Sequence, residues 1–108
     1  MASAEVNVTV FAYPQPDKID EVAALWSELS RQVQANEPDT LFYYAYVNRD
    51  RTAVIVVERY RNQEAYEKHG QTPWFQTFMA KAGGLMAKPL DIQRGSGQLP
   101  ESSKISRL

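Results

Sequence analysis

The sequence predicts an α+β fold: a four-stranded antiparallel sheet with its helices on one face. Three observations predict it. Apolar residues alternate with period two over residues 5–13, and an apolar stripe recurs at three- and four-residue spacing over residues 17–36. Two runs rich in aromatic and β-branched residues, 41–47 and 52–60, flank a short polar turn and read as a hairpin. A second helical stretch and a last strand complete the order strand, helix, strand, strand, helix, strand. That is the ferredoxin-like βαββαβ arrangement.

Each element follows from its residues. In the first strand Val6, Val8, Val10 and Ala12 alternate with Asn7, Thr9, Phe11 and Tyr13, and Pro14 and Pro16 end it. Asp17 is expected to cap the first helix, whose stripe is Ile19, Val22, Ala23, Trp26, Leu29 and Val33, ending near Asn36. Asn48, Arg49, Asp50 and Arg51 form the hairpin turn. Asn62 is expected to cap a helix carrying Ala65, Tyr66 and His69, which Gly70 closes. Thr72 and Pro73 restart a helix, since Thr caps and Pro suits the first helical position; Phe75, Phe78, Met79 and Ala82 form its buried stripe. Gly83 and Gly84 stop it. The last strand is placed at 87–95, at an edge or a bulge because it contains Pro89. One domain over 1–95 and a flexible polar tail over 96–108 are expected.

Composition narrows the chemistry. The chain has 108 residues, 12 Lys plus Arg against 13 Asp plus Glu, one His and no Cys. A length of this order forms a single core without staples. A net charge of −1 sets up no field for polyanions, so nucleic acid is not expected as a partner. Nor is a membrane, because no run approaches the roughly 20 apolar residues of a span and no leader pattern opens the chain. Without thiols there is no disulfide framework, thiolate nucleophile or Cys-based metal site, and one imidazole cannot build a multi-histidine site. No metal is expected. A soluble intracellular protein is the consequence. The last residues, Ser106, Arg107 and Leu108, resemble the Ser-Lys-Leu peroxisomal address with Arg for Lys, so the expected location is peroxisomal in a eukaryote and cytoplasmic otherwise.

The hairpin strands are apolar on both faces. Leu41, Tyr43, Ala45 and Val47 oppose Phe42, Tyr44 and Tyr46, while Ala53, Ile55 and Val57 oppose Val54 and Val56. Helices cover only one face, so a patch of roughly several hundred Å² stays open, which marks an interface. A homodimer with two sheets packed face to face about a two-fold axis is expected.

Read in order, Glu58, Arg59 and Tyr60, then Glu64 and Ala65, His69, and Thr72, Pro73, Trp74 and Phe75 resemble the antibiotic biosynthesis monooxygenase family. The pattern is an acidic residue near the end of the third strand, an aromatic two residues on, an Ala in the next helix, a His and a short apolar helix. The resemblance covers residues 6 to about 95. It implies a dimeric α+β barrel with a pocket between helices and sheet in each protomer. Some members oxidise quinols or aromatic polyketide intermediates with O2 and neither bound metal nor flavin.

That implication meets the composition, because the chain has no dinucleotide fingerprint or phosphate loop and no cofactor is expected. The substrate must then supply the electrons. A small hydroxylated aromatic compound can do so once deprotonated, given a base, an apolar pocket and donors for the developing oxyanion. His69 is the candidate catalytic base, since imidazole is the side chain that ordinarily titrates nearest neutral pH. Tyr43, Tyr44, Tyr60, Trp74 and Phe75 are candidates to line the substrate site, with Asn7 or a Tyr hydroxyl bonding the substrate's oxygens, and Glu58 to orient His69. Other readings stand beside these. His69 before Gly70 also suits a helix C-terminus, Trp26 suits the core, Trp74 or Phe75 can plug the barrel, and Glu58 can pair with Arg59 or Arg61. Haem-degrading relatives need a His where this chain has Phe78 and Met79, which argues against haem. A non-catalytic dimeric barrel that binds a small apolar ligand is the alternative function.

Overall fold

The computed structural model describes residues 4–102, 105 and 107. The chain runs β1 (Val6–Ala12), α1 (Ile19–Asn36), β2 (Thr40–Val47), β3 (Val54–Tyr60), α2 (Gln63–Gly70), α3 (Pro73–Ala82), a 3-10 turn (Gly83–Leu85) and β4 (Asp91–Ser96). The strands form one antiparallel sheet in the order β2-β3-β1-β4, the ferredoxin-like topology expected from the sequence.

Alternation decides which side chains the helices cover. Val6, Val8, Val10 and Ala12 of β1, with Val54, Val56, Glu58 and Tyr60 of β3, are buried on the helix side. The α1 stripe lands there as well: Ile19, Val22, Trp26, Leu29 and Val33 are buried, and the Trp26 ring lies 4.5 Å from that of Phe78 on α3. Full burial of a side chain of this size contributes about 1.5–3 kcal/mol. Among the described residues, no helix is long and apolar enough to cross a membrane.

The two later helix starts follow their capping residues. Asn62 Oδ1 accepts the Ala65 N–H at 2.9 Å, and Thr72 Oγ1 accepts the Phe75 N–H at 3.2 Å, with Pro73 at the first position of α3. The start of α1 differs from expectation. Lys18 precedes the helix and no side chain caps it, because Asp17 is taken up in a turn closed by the Lys18 N–H on the Gln15 carbonyl at 2.9 Å.

The last strand is also displaced. It starts at Asp91 instead of 87, since Pro89 has no N–H for a ladder bond; the preceding residues instead pair with the end of β1, through Ala87 N–H to the Tyr13 carbonyl at 2.8 Å. Order continues past residue 95. Gly97, at φ +71°, donates its N–H to the Glu5 carbonyl at 2.9 Å. Ser106 and Leu108 of the C-terminal tripeptide lie outside the described residues, and Arg107 is exposed.

The face away from the helices is open. Tyr44 is 54% exposed, Phe42 46% and Tyr46 44%, and their rings form a ladder with centroids 6.1 and 5.8 Å apart. Phe11, Ile55 and Val57 are half-buried beside them. At its corner, Arg59 Nε donates to Asn7 Oδ1 at 2.9 Å, and Asn7 Nδ2 donates to the Gly97 carbonyl at 2.5 Å.

Candidate functional site

A cavity of about 280 Å³ lies between the helix side of the sheet and the helices above it. Register builds its floor: Tyr43 pairs with Glu58, which pairs with Val8, so these three side chains form a row across β2, β3 and β1. Trp26 and Leu29 of α1, Tyr66 and His69 of α2, and Phe75, Phe78 and Met79 of α3 enclose it, with Leu90 and Ile92 from the last segment. Apolar and aromatic groups dominate this wall, which is the character of a site for a small organic molecule.

His69 sits on the last turn of α2 and is 5% exposed. Its ring is 5.0 Å from that of Phe75, 5.5 Å from Tyr60 and 5.8 Å from Tyr43, centroid to centroid. Its Nδ1 is 2.9 and 3.0 Å from the two oxygens of Glu37, the residue that follows α1. Thr40 Oγ1 donates to the same carboxylate at 2.7 Å and Trp74 Nε1 at 2.6 Å. Burial works to raise the Glu37 carboxyl, but the three hydrogen bonds and the histidine charge outweigh it and hold the group below the ordinary carboxylate range.

Glu58 is 6% exposed and accepts the Tyr60 hydroxyl proton in a short hydrogen bond. Burial pushes its carboxyl above the ordinary range, only partly offset by the Tyr60 bond and the nearby histidine charge. One Glu58 oxygen is held by the Tyr60 hydroxyl. Tyr43 accepts from Trp26 Nε1 at 3.1 Å, leaving its own O–H to donate. Burial raises that phenol, with the Glu58 charge adding to it, so it keeps its proton. Among the described residues no group of three or more His, Cys, Asp or Glu is placed to hold a metal ion.

The structure thus brings His69, Tyr43, Phe75 and Glu58 to one cavity, with the fully buried Tyr60 behind Glu58. Four of the candidates are placed elsewhere or bond another group. Asn7 and Tyr44 lie on the opposite sheet face, because strand alternation turns them away from Val8 and Tyr43, and neither reaches the cavity. Trp74 is outside it too, its indole N–H bonded to Glu37. The carboxylate on the His69 ring is that of Glu37, since Glu58 bonds Tyr60 instead. Sequence reasoning missed Glu37. One signal was present: an acidic residue at the negative end of a helix is unfavourable unless something else compensates it.

Residues 6–81 match the family described as antibiotic biosynthesis monooxygenase. The chain is 34% identical over 80 residues to the uncharacterized protein sll1783 of Synechocystis, a match spanning 73% of this chain and 54% of that protein, so it corresponds to about half the length of this relative. It is 27% identical over 90 residues to "Putative monooxygenase Rv0793" of Mycobacterium tuberculosis, spanning 83% of this chain and 88% of that protein. The solved structure of a "putative antibiotic biosynthesis monooxygenase" from Caulobacter crescentus superimposes with a TM-score of 0.84 at 26% identity, covering 90% of this chain and 92% of that one.

Proposed function

Because the chain belongs to the antibiotic biosynthesis monooxygenase family, we propose that it is a cofactor-independent monooxygenase that oxidises a small hydroxylated aromatic compound, quinol- or anthrone-like, with O2. One observation carries the reading: the only imidazole of the chain lies on the wall of an apolar, aromatic cavity, next to a phenol free to donate. In that setting His69 takes the hydroxyl proton of the substrate. The Tyr43 O–H donates to the oxygen on which negative charge gathers. The apolar wall limits water and favours stacking of a flat ring against Phe75 and Tyr43. The resulting anion reduces O2. For an anthrone-like substrate reacting as its enol, one oxygen atom becomes the new carbonyl on the ring carbon opposite, and the other leaves as water with the enol hydrogen and the hydrogen of that carbon.

The same reading includes a homodimer. The aromatic ladder of Phe42, Tyr44 and Tyr46 is the surface that a second copy would cover, sheet against sheet.

Oxygen consumption with a panel of quinols and anthrones tests the chemistry. Enzyme-dependent uptake is expected, and His69→Ala is expected to lower its rate more than tenfold. Uptake no faster than autoxidation across the panel overturns the enzyme reading and favours a barrel that binds a small apolar ligand without turnover.

A further inference from the structure

We infer that Glu37 is the positioning residue for His69, fixing the imidazole so that its basic nitrogen faces the inner cavity and its charge, once formed, lies against a carboxylate. The inference rests on His69 being the base.

The ring of His69 is a wall shared by two cavities. On one side is the aromatic cavity described above. On the other is a second hollow of about 280 Å³, lined by Glu37, Thr40, Lys68 and Trp74 among others. The Nδ1 edge faces Glu37 in the second hollow. A carboxylate offers only acceptors, so the nitrogen bonded to it carries the hydrogen. In the neutral ring the lone pair is then on Nε2. Among the described residues Nε2 has no hydrogen-bond partner, yet no fully buried side-chain nitrogen or oxygen there lacks one. Nε2 therefore reaches open space, and with Nδ1 turned outward that space is the inner cavity.

Glu37 is itself held from three directions. Thr40 at the start of β2, His69 on α2 and Trp74 in the first turn of α3 all bond it, and its side chain is 9% exposed. Three donors on one carboxylate leave it little freedom to rotate, which fixes the tautomer as well as the position of the ring. The proton step balances: the substrate O–H breaks, Nε2–H forms, and the imidazolium pairs with the Glu37 carboxylate while the electron pair stays on the substrate oxygen. Trp74 acts here through its N–H on Glu37, not by touching substrate.

The single histidine makes the test direct, because every imidazole signal in the NMR spectrum of the whole chain belongs to His69. Long-range 1H–15N correlation on the neutral ring is expected to show hydrogen on Nδ1, where free histidine prefers Nε2. A wild-type ring carrying its hydrogen on Nε2 overturns the inference, with no variant needed. In Glu37→Gln the bias toward Nδ1–H is expected to fade. An unchanged tautomer in Glu37→Gln also overturns the inference. With an active substrate, kcat should fall at least tenfold with KM nearly constant. If no substrate is oxidised but the tautomer is found, the positioning stands and the monooxygenase reading falls.

Discussion

Glu58 and Glu37 are carboxyl groups around the same imidazole, pushed in opposite directions from an ordinary value of 4.5. Burial dominates at Glu58, so folding favours its protonated form. Its contribution to stability is present below pH 4.5 and is lost as pH rises through its folded value. At Glu37 the hydrogen bonds outweigh burial, so its contribution is present above pH 4.5 and is lost as pH falls through its folded value. The two groups can be separated by experiment. Glu58→Gln keeps an acceptor for Tyr60 and removes a carboxyl that resists ionisation; it is expected to raise the melting temperature at pH 7 by a few degrees. That difference should close near pH 4, where Glu58 is already neutral. Thermal unfolding at the two pH values measures it, and an equal gain at both would mean that ionisation is not the cause.

Thr72 shows how one side chain at an element boundary couples two helices. Its Oγ1 accepts the Phe75 N–H at the start of α3 and donates to the His69 carbonyl at the end of α2, at 2.8 Å. Thr72→Ala is expected to cost about 1 kcal/mol, within the usual range for a lost N-cap, read as a lower midpoint in denaturant titration. Because the same bonds fix the angle between His69 and Phe75, substrate affinity should weaken with it. This junction was legible in the sequence, since Thr-Pro is a local helix-start signal, as was the α1 stripe. Other features are settled by distant partners. Which face of β2 meets the helices could not be read from alternation, as Tyr43 and Tyr44 are both aromatic; pairing with Glu58 decides it, across an irregularity between Thr40 and Phe42. Glu37 was hidden for the same reason. Its partners His69 and Trp74 are 32 and 37 residues away along the chain, and no local spacing encodes that meeting.

At the scale of the whole molecule, the sheet has one face filled by helices and one carrying an aromatic ladder in the open. Burying Tyr44 at the centre of that ladder against a second copy is the arrangement proposed above, and a carboxylate placed there would be desolvated without a partner. Tyr44→Asp is therefore expected to give a monomer of 12.3 kDa by sedimentation at micromolar concentration, while the wild-type chain sediments at about twice that mass. A wild-type particle of 12.3 kDa would remove the dimer from the proposal. The position of the cavity has a further consequence for such a pair. It lies on the helix side, so in a sheet-to-sheet dimer two layers of strands, about 10 Å apart, stand between the two sites. Each protomer would then be a self-contained chamber, back to back with its twin. Occupancy of one would reach the other only by deforming a hydrogen-bonded sheet, so the pair should fill as two independent vessels.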